Sequence, residues 1–269
     1  MELLKAGILG MVQGLTEFLP VSSSGHLVIG SELMHFREQG IVFDVFLHLG
    51  TLMAVFVVFR TELLAMVKAP FLYRHGQCDR EVRDFFLWDI YVVVATLPAV
   101  FVGLFLKDTF ERFFNNIVLV YCMLTVTGLL MIGTKLLSAR NEPLTWFRSL
   151  LVGCAQACAI LPGLSRSGST IFAGMALGVD REKIARFSFI MSIPAILGAA
   201  VLQLRDVLYN SPGGDAWLNI LVGTVMAAIS GYLAIQLLLG VIRKNKLQWF
   251  GYYCLLLAGA GLTHFFFFT

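Results

Sequence analysis

Charged residues are scarce in this sequence: only 14% of its 269 residues are Asp, Glu, Lys or Arg, whereas 58% are hydrophobic. A soluble domain carries about 25% charged residues, so a chain of this composition could not solvate the surface of a water-soluble fold. The mean hydropathy of +0.82 agrees with this. The composition therefore excludes a soluble enzyme, a disordered chain and a collagen-like chain, and it predicts an integral membrane protein.

Several sequence motifs that carry chemistry are also missing. The five cysteines show no metal-ligand or disulfide spacing, and the net charge of +3 is too small to predict a nucleic-acid partner. The sequence contains neither a Gly-x4-Gly-Lys-Ser/Thr nucleotide loop nor a His-Glu-x-x-His zinc helix. A basic segment followed by a cleavage site is absent from the N-terminus, so we expect no removable signal peptide.

Long hydrophobic segments are what the sequence has in abundance. A helix that crosses a membrane needs roughly 20 mostly apolar residues. The predicted fold is therefore an all-α polytopic membrane protein, with residues 1–269 in a single integral membrane domain. Six segments are predicted to span the membrane: residues 42–59, 87–106, 116–137, 187–204, 217–242 and 248–268.

Two further apolar stretches, residues 3–34 and 147–179, are too long for one span and are interrupted near the middle. The interruptions are PVSSSGH at 20–26 and PGLSRSG at 162–168. Irregular backbone at membrane depth persists only where protein or a water-filled cavity satisfies its hydrogen bonds. We therefore expect both stretches to form re-entrant helical hairpins.

The two interrupted stretches are similar to each other. Residues 13–25 and 156–168 have the same length, begin with Gln and end with Gly, and lie 143 positions apart. Each stretch is followed by three predicted spans, so the chain is interpreted as two repeats, 1–140 and 144–269. Because three crossings is an odd number, the two repeats should have inverted topology.

The distribution of basic residues predicts an orientation. Fourteen lie on one side of the predicted membrane and five on the other, with Arg166 in the second hairpin. The segment between the first two spans is interpreted as a loop on the basic side, and the positive-inside rule makes that side cytoplasmic. The hairpins then enter from opposite faces, and their tips should meet near the midplane, where inverted-repeat membrane proteins place their sites.

Ionisable and hydroxyl residues gather at the two interruptions. An ionisable group at membrane depth is costly and is therefore a functional candidate. Gly and hydroxyl residues just before a helix restarts offer N–H groups and a positive helix end to an anion, and the Arg166 guanidinium suits phosphate. The pattern predicts a phosphate site within the membrane. Its candidate residues are Gln13, Glu17, Ser22, Ser23, Ser24, Gly25 and His26, with Ser165, Arg166, Ser167, Gly168 and Thr170.

Structural roles remain open for the same residues. Arg166 could tie the hairpins together with Glu17 as its buried partner. Ser22 and Ser24 could cap a helix, a position where Ser is favoured in any protein, and His26 could be a satisfied structural histidine. Interhelical hydrogen bonds would account for Gln13 and Gln156, and Asp44 and His48 could form the edge of the pocket.

The motifs EFLPVSSSGH at 17–26 and PGLSRSGST at 162–170 resemble those of the bacterial undecaprenyl-diphosphate phosphatase family, the bacitracin-resistance (BacA) type. The resemblance extends over the whole chain. It implies an enzyme that hydrolyses the terminal phosphate of undecaprenyl diphosphate to give undecaprenyl phosphate and phosphate. This reaction recycles the lipid carrier of peptidoglycan and cell-envelope synthesis and confers bacitracin resistance.

The resemblance also implies the surroundings of that enzyme. It suggests Mg²⁺ or Ca²⁺ as a divalent cofactor, a lipid substrate and a homodimer. The implied location is the bacterial cytoplasmic membrane, with the active site opening to the outer face.

By position, the resemblance implies that Ser23 is the nucleophile and that His26 is the catalytic histidine. It also implies that Glu17 is the second acid of a Glu/Gln-x3-Glu motif and a metal ligand. Gln13 occupies the place of the first acid, which leaves Glu17 and the substrate oxygens to hold most of the ion. His26 is expected to serve as base for Ser23 or as acid to the leaving group; His26 as nucleophile, or as base for water, is the alternative. The implied phosphate-binding residues are Ser165, Arg166 and Thr170.

Two other classes of function stay open. Inverted repeats with broken helices at the midplane are typical of secondary transporters, so the chain could flip a polyprenyl phosphate across the membrane. A structural protein without activity would bury Arg166 and Glu17 to no purpose. The Ser and His residues favour chemistry, because a carrier needs the cation but not a nucleophile.

Overall fold

The computed structural model describes residues 2–34, 40–76, 79–105, 116–138, 140–209 and 214–268. Regular structure in these ranges is helical, apart from one isolated β-bridge between Glu142 and Val179. The helices are α1 Glu2–Phe18, α2 Ser23–Met34, α3 Ile41–Val58, α4 Arg60–Arg74, α5 Arg80–Phe105, α6 Ile117–Gly133, α7 Trp146–Cys158, α8 Arg166–Ala176, α9 Arg181–Tyr209, α10 Gly214–Arg243 and α11 Gln248–Phe268. A short 3₁₀ helix, Thr134–Leu136, follows α6.

Five of the six predicted spans are confirmed. Within the described residues, α5, α6 with its 3₁₀ extension, α9, α10 and α11 are each long and apolar enough to cross a membrane. The sixth, α3, is about 27 Å long and meets the same criterion only together with α4, from which it is bent by 79°. The chain is thus an all-α, multi-pass membrane protein.

The structure corrects the prediction for the segment after the first span, which we interpreted as a loop. Residues 60–74 form α4, whose buried face contains Met66 and Ala69. The helix contains Pro70 and several charged residues, so its sequence has no long apolar run. Packing against α5 explains why this segment is helical.

Both interrupted stretches are helix-turn-helix hairpins, as predicted. In the first, Leu9 of α1 lies 3.5 Å from the position that a methyl group on Gly30 of α2 would occupy, so the two helices fold back on each other. In the second, the N–H of Glu142 before α7 donates to the carbonyl of Gly178 after α8, at 3.0 Å. The two ends of the second hairpin therefore meet, and the chain leaves on the side where it came in.

The hairpins pack against the two halves of the chain in a reciprocal way. The first hairpin packs through α1 against α10, the middle span of the second half, and the second packs through α7 against α5, the middle span of the first half. Glycine permits both close contacts. A methyl group at Gly10 would overlap the backbone of Gly223, and a methyl group at Gly153 would overlap the backbone of Ala95. The two contacts fix both turns relative to the long helices. The division into inverted repeats, 1–140 and 144–269, stays a prediction.

The core that supports the turns lies around α9. Phe187, Phe189 and Met191 are fully or almost fully buried there and pack with Phe18 from the end of α1 and Phe59 from the end of α3. The Phe18 and Phe189 rings meet edge to face, with centroids 5.6 Å apart. Aromatic packing therefore anchors α1 just before the first turn.

Candidate active site

The tips of the two hairpins lie against each other. A methyl group at Gly25 would stand 3.4 Å from the Cα of Gly163, and one at Gly168 would stand 3.3 Å from the Cβ of Pro20. The hydroxyl of Ser167 lies 3.4 Å from the carbonyl oxygen of Leu19, to which it donates. The sequence prediction that the two polar interruptions meet is confirmed.

The two turns share the same hydrogen bonds at equivalent positions. Ser22 precedes α2, and its hydroxyl accepts the Gly25 N–H at 3.3 Å; Ser165 precedes α8, and its hydroxyl accepts the Gly168 N–H at 3.1 Å. These are helix N-caps, in which a side-chain oxygen binds an N–H of the first turn. Ser22 has a positive φ of 70°, an uncommon conformation for a residue other than Gly that is frequent at functional sites.

The two helix starts supply hydrogen-bond donors to the same region. The first turn of a helix has N–H groups without partners inside the helix, and these carry partial positive charge. The N–H groups of Ser23, Ser24, Arg166 and Ser167 have no acceptor in the described part of the chain. Two helix N-termini beside one guanidinium can hold an anion with several oxygens, such as a phosphoryl group.

Glu17 is the centre of the site. Its side chain is 6% exposed, and one carboxylate oxygen pairs with the guanidinium of Arg166 from the other hairpin. The other oxygen accepts the Ser23 hydroxyl at 2.6 Å and the Gln13 amide at 3.0 Å. The Nε2 of His48 stands 3.8 Å from that same oxygen. Glu17 thus joins the predicted nucleophile, the predicted phosphate clamp and a histidine of α3.

His26 forms its hydrogen bonds with residues other than Ser23. Its Nδ1 lies 2.8 Å from the carbonyl oxygen of Ser22, and its Nε2 lies 2.7 Å from the hydroxyl of Tyr253 on α11. A carbonyl oxygen only accepts, so Nδ1 carries a proton; Nε2 accepts from the Tyr253 hydroxyl when the ring is neutral and donates to it when the ring is protonated. A role of His26 as base for Ser23 would need a hydrogen bond between the two residues, and the described contacts of these residues do not include one. The Ser23 hydroxyl donates to Glu17 instead.

Thr170 and Ser165 hold the second turn in place. The hydroxyl of Thr170 lies 2.8 Å from the carbonyl oxygen of Arg166 and 2.6 Å from the hydroxyl of Ser188 on α9. The N–H of Ser165 donates to the hydroxyl of Thr127 on α6 at 2.9 Å, and that hydroxyl donates to the Gly163 carbonyl at 3.0 Å. The remaining serines pair within each turn, Ser22 with Ser24 and Ser165 with Ser167.

The sequence is similar to that of a known protein family over nearly its whole length. The family model described as "Bacitracin resistance protein BacA" matches residues 6–260, nearly the whole chain. The chain belongs to the BacA family.

Three relatives named undecaprenyl-diphosphatase show how far the similarity extends. The protein from Halothermothrix orenii is 42% identical over 258 residues, which cover 94% of this chain and 95% of the relative. The protein from Methanobrevibacter smithii is 41% identical over 280 residues, covering 99% and 100%. The protein from Rubrobacter xylanophilus is 42% identical over 266 residues, covering 96% of both chains.

The sequence alone did not point to three residues of this BacA site. Thr127 and Ser188 are hydroxyl residues inside apolar helices, and each bonds a residue of the second turn. Tyr253 lies in the last span. His48, by contrast, is one of the two residues that the sequence offered as an edge of the pocket, and its Nε2 lies 3.8 Å from Glu17. A polar group within an apolar run was the available signal, but which partner it meets depends on the packing of distant segments.

Proposed function

We propose that the chain is an undecaprenyl-diphosphate phosphatase, which hydrolyses the terminal phosphate and releases undecaprenyl phosphate. The observation that carries the proposal is the contact of Ser23, Glu17 and Arg166 at the meeting of two hairpin turns. A hydroxyl, a carboxylate that accepts its proton and a guanidinium suited to phosphate are the groups that phosphoryl transfer to serine requires. Membership of the BacA family supports the same assignment.

The reaction begins with the substrate's terminal phosphoryl group at the two helix starts. Arg166 and the free N–H groups of α2 and α8 hold its oxygens, and Ser165 and Ser167 complete the turn around it. The Ser23 oxygen then forms a bond to the terminal phosphorus while the bond from phosphorus to the bridging oxygen breaks. Undecaprenyl phosphate leaves, and water hydrolyses the phosphoserine to release phosphate. Phosphoryl transfer depends mainly on position and charge stabilisation.

Two groups handle protons in this scheme. Glu17 orients the Ser23 hydroxyl through the 2.6 Å hydrogen bond and accepts its proton as the new bond forms. His26 gives a proton to the leaving oxygen from Nε2 of its protonated ring, and it regains that proton from the water that hydrolyses the phosphoserine. The Tyr253 hydroxyl, 2.7 Å from Nε2, holds the ring in place. Of the two roles that the sequence analysis predicted for His26, this scheme keeps the acid to the leaving group. The other role, as base for Ser23, is assigned to Glu17.

A divalent cation, Mg²⁺ or Ca²⁺, fits this set of residues. The Gln13 side-chain oxygen is buried and has no hydrogen-bond partner in the described part of the chain, and Gln13 adjoins the Glu17 carboxylate. Mg²⁺ is typically held by one or two carboxylates together with substrate phosphates. Glu17 and Gln13 would hold the ion, which would neutralise charge on the diphosphate when bound.

The membrane arrangement forms part of the proposal. The excess of basic residues on one side supports a cytoplasmic location for the α4–α5 end and an outer-face opening for the site. The reciprocal packing of the hairpins supports inverted repeats. The homodimer stays an expectation, and transport of the lipid has no observation of its own in its favour.

Phosphate release from undecaprenyl diphosphate by the purified protein in detergent tests the proposal. Wild type should turn over with Mg²⁺ or Ca²⁺ present and lose activity in a chelator. Ser23→Ala should lower the rate at least about 1,000-fold. Ser31→Ala is the matched control, because Ser31 is on the same helix and its hydroxyl donates to the helix backbone at Val28. A folded wild type that binds the lipid and releases no phosphate would overturn the proposal.

The nucleophile can be identified in the same preparation. Quenching during turnover, in acid and in a parallel alkaline denaturant that preserves acid-labile phosphohistidine, followed by mass spectrometry, should find a phosphoryl group on Ser23. Phosphate on His26, or none at all during active turnover, would show that the serine route is wrong although the chain is a phosphatase.

A further inference from the structure

Helix α4 leaves the line of the membrane span before it. The bend between α3 and α4 is 79°, and it takes place at Phe59. A helix almost perpendicular to a spanning helix lies close to the plane of the bilayer. With α3 across the bilayer, as the sequence predicts for residues 42–59, a bend of 79° would set α4 along one membrane surface, on the side where α5 begins.

One face of α4 is fixed to the protein. Met66 and Ala69 are 6% and 1% exposed, and the Tyr73 ring stacks on Phe86 of α5 with centroids 4.6 Å apart. Glu62, the only acidic residue of the helix, pairs with Arg186 of α9 at 2.5 Å. This face holds α4 against α5 and α9, and the only negative charge of the helix, on Glu62, is neutralised there by Arg186.

The opposite face is apolar and has no partner within the described residues. Leu64, Val67 and Phe71 follow each other at intervals of three and four positions, which places them on one side of the helix. Their exposed fractions are 58%, 66% and 67%. Large apolar side chains aligned in this way on the surface of a membrane protein mark a contact with lipid or with another protein.

The charges on the exposed side are all positive. Arg60, Lys68 and Arg74 are exposed and make no ion pair with the described part of the chain. An apolar stripe flanked by basic residues is the pattern of helices that lie in the headgroup region of a bilayer. Charge complementarity selects an anionic leaflet as the occupant, rather than a second copy of this basic surface.

We propose that α4 is an interfacial helix that inserts Leu64, Val67 and Phe71 into the leaflet and binds anionic phospholipid headgroups through Lys68 and Arg74. A basic residue close to an anionic membrane surface strengthens the attraction by about fivefold. The Glu62–Arg186 pair connects the lipid-bound helix to α9, whose Ser188 contacts Thr170 of the second turn. The proposal concerns a surface away from the catalytic groups and holds whether or not the enzymatic assignment is right.

Spin labelling of the full-length protein in vesicles tests the insertion. The five native cysteines are replaced by alanine, and a label is placed at Val67→Cys or, as control, at the exposed Glu81→Cys on α5. We expect oxygen from the bilayer to reach the Val67 label and a water-soluble nickel chelate not to reach it, with the reverse at Glu81. Access of nickel to Val67, or spin–spin coupling between the Val67 labels of two copies, would overturn the proposal.

The headgroup preference is tested with the same label in phosphatidylcholine vesicles with and without phosphatidylglycerol. The anionic lipid should lower the mobility of the Val67 label, and Lys68→Gln with Arg74→Gln should abolish the difference. The thermal unfolding temperature in detergent should be unchanged in the double variant, which shows that it is folded. Equal mobility in both vesicle types for the wild-type helix would contradict anionic recognition.

Discussion

Glu17 and Arg166 form a buried ion pair between the two hairpin turns, although 149 positions separate them in the chain. The side chains are 6% and 17% exposed. Removal of one partner leaves the other charge buried without compensation, whereas removal of both does not. The pair therefore has a structural and a chemical role, which can be separated by single and double substitution.

Arg166→Gln should destabilise the protein by about 3–5 kcal/mol, because Glu17 then keeps an unpaired charge. Glu17→Gln together with Arg166→Gln should recover much of that stability and remain inactive. Thermal unfolding in detergent and phosphate release measure the two effects. An active double variant would show that the pair serves the fold alone.

Thr127→Val should destabilise the second turn. The Thr127 hydroxyl joins the Gly163 carbonyl to the Ser165 N–H, and valine has nearly the same shape without either hydrogen bond. A buried polar group without a partner costs about 1–3 kcal/mol, and phosphate release should fall as the turn moves. Thr125→Val is the control, since the Thr125 hydroxyl donates only to the Tyr121 carbonyl of its own helix. Equal unfolding temperatures for the two variants would contradict the role of Thr127.

Gly10→Ala should push α1 away from α10. A methyl group there would overlap the Gly223 backbone, whereas one at Gly7, a turn earlier on α1, would stand at an ordinary 3.6 Å from Val222. Overpacking of this kind costs about 1–3 kcal/mol, and it should displace Glu17 and lower phosphate release. Thermal unfolding and activity of Gly10→Ala and Gly7→Ala provide the comparison. If both variants behave like wild type, the close contact of α1 with α10 does not position the site.

Tyr253→Phe should slow the reaction without loss of stability. The substitution removes the hydroxyl on His26 Nε2 and keeps the ring that stacks on the imidazole. A hydrogen bond of about 1 kcal/mol corresponds to a roughly fivefold lower kcat, with KM unchanged. Tyr252→Phe alters the neighbouring exposed tyrosine and should have no effect. A change in KM instead of kcat would assign Tyr253 to substrate binding.

The hairpins and most spans could be predicted from sequence because their signals are local. A long apolar run predicts a membrane helix by itself, and Pro20 or Pro162 beside Gly and Ser marks a break wherever the rest of the chain lies. Helix α4 was missed because its sequence mixes Lys68 and Pro70 with apolar residues, and its helical state depends on burial of Met66 and Ala69.

The site was predicted to the extent that its residues share the two motifs. Glu17, Ser23 and Arg166 meet as expected, whereas the orientation of His26 toward Tyr253 results from where α11 packs, 227 positions later in the chain. The same reason applies to Thr127 and Ser188, since an apolar helix does not record which of its hydroxyls faces the turn. Local patterns identify the reacting groups, and tertiary packing decides their partners.

The most direct test of one site built from two hairpins is the rate of phosphate release by wild type, Ser23→Ala, Arg166→Ala and the double variant. Residues that act as a unit give losses that do not add. We predict that each single variant loses nearly all activity and that the double variant is no slower than the slower single variant. Partial losses that multiply in the double variant would show that Ser23 and Arg166 act independently, and would contradict a shared active site.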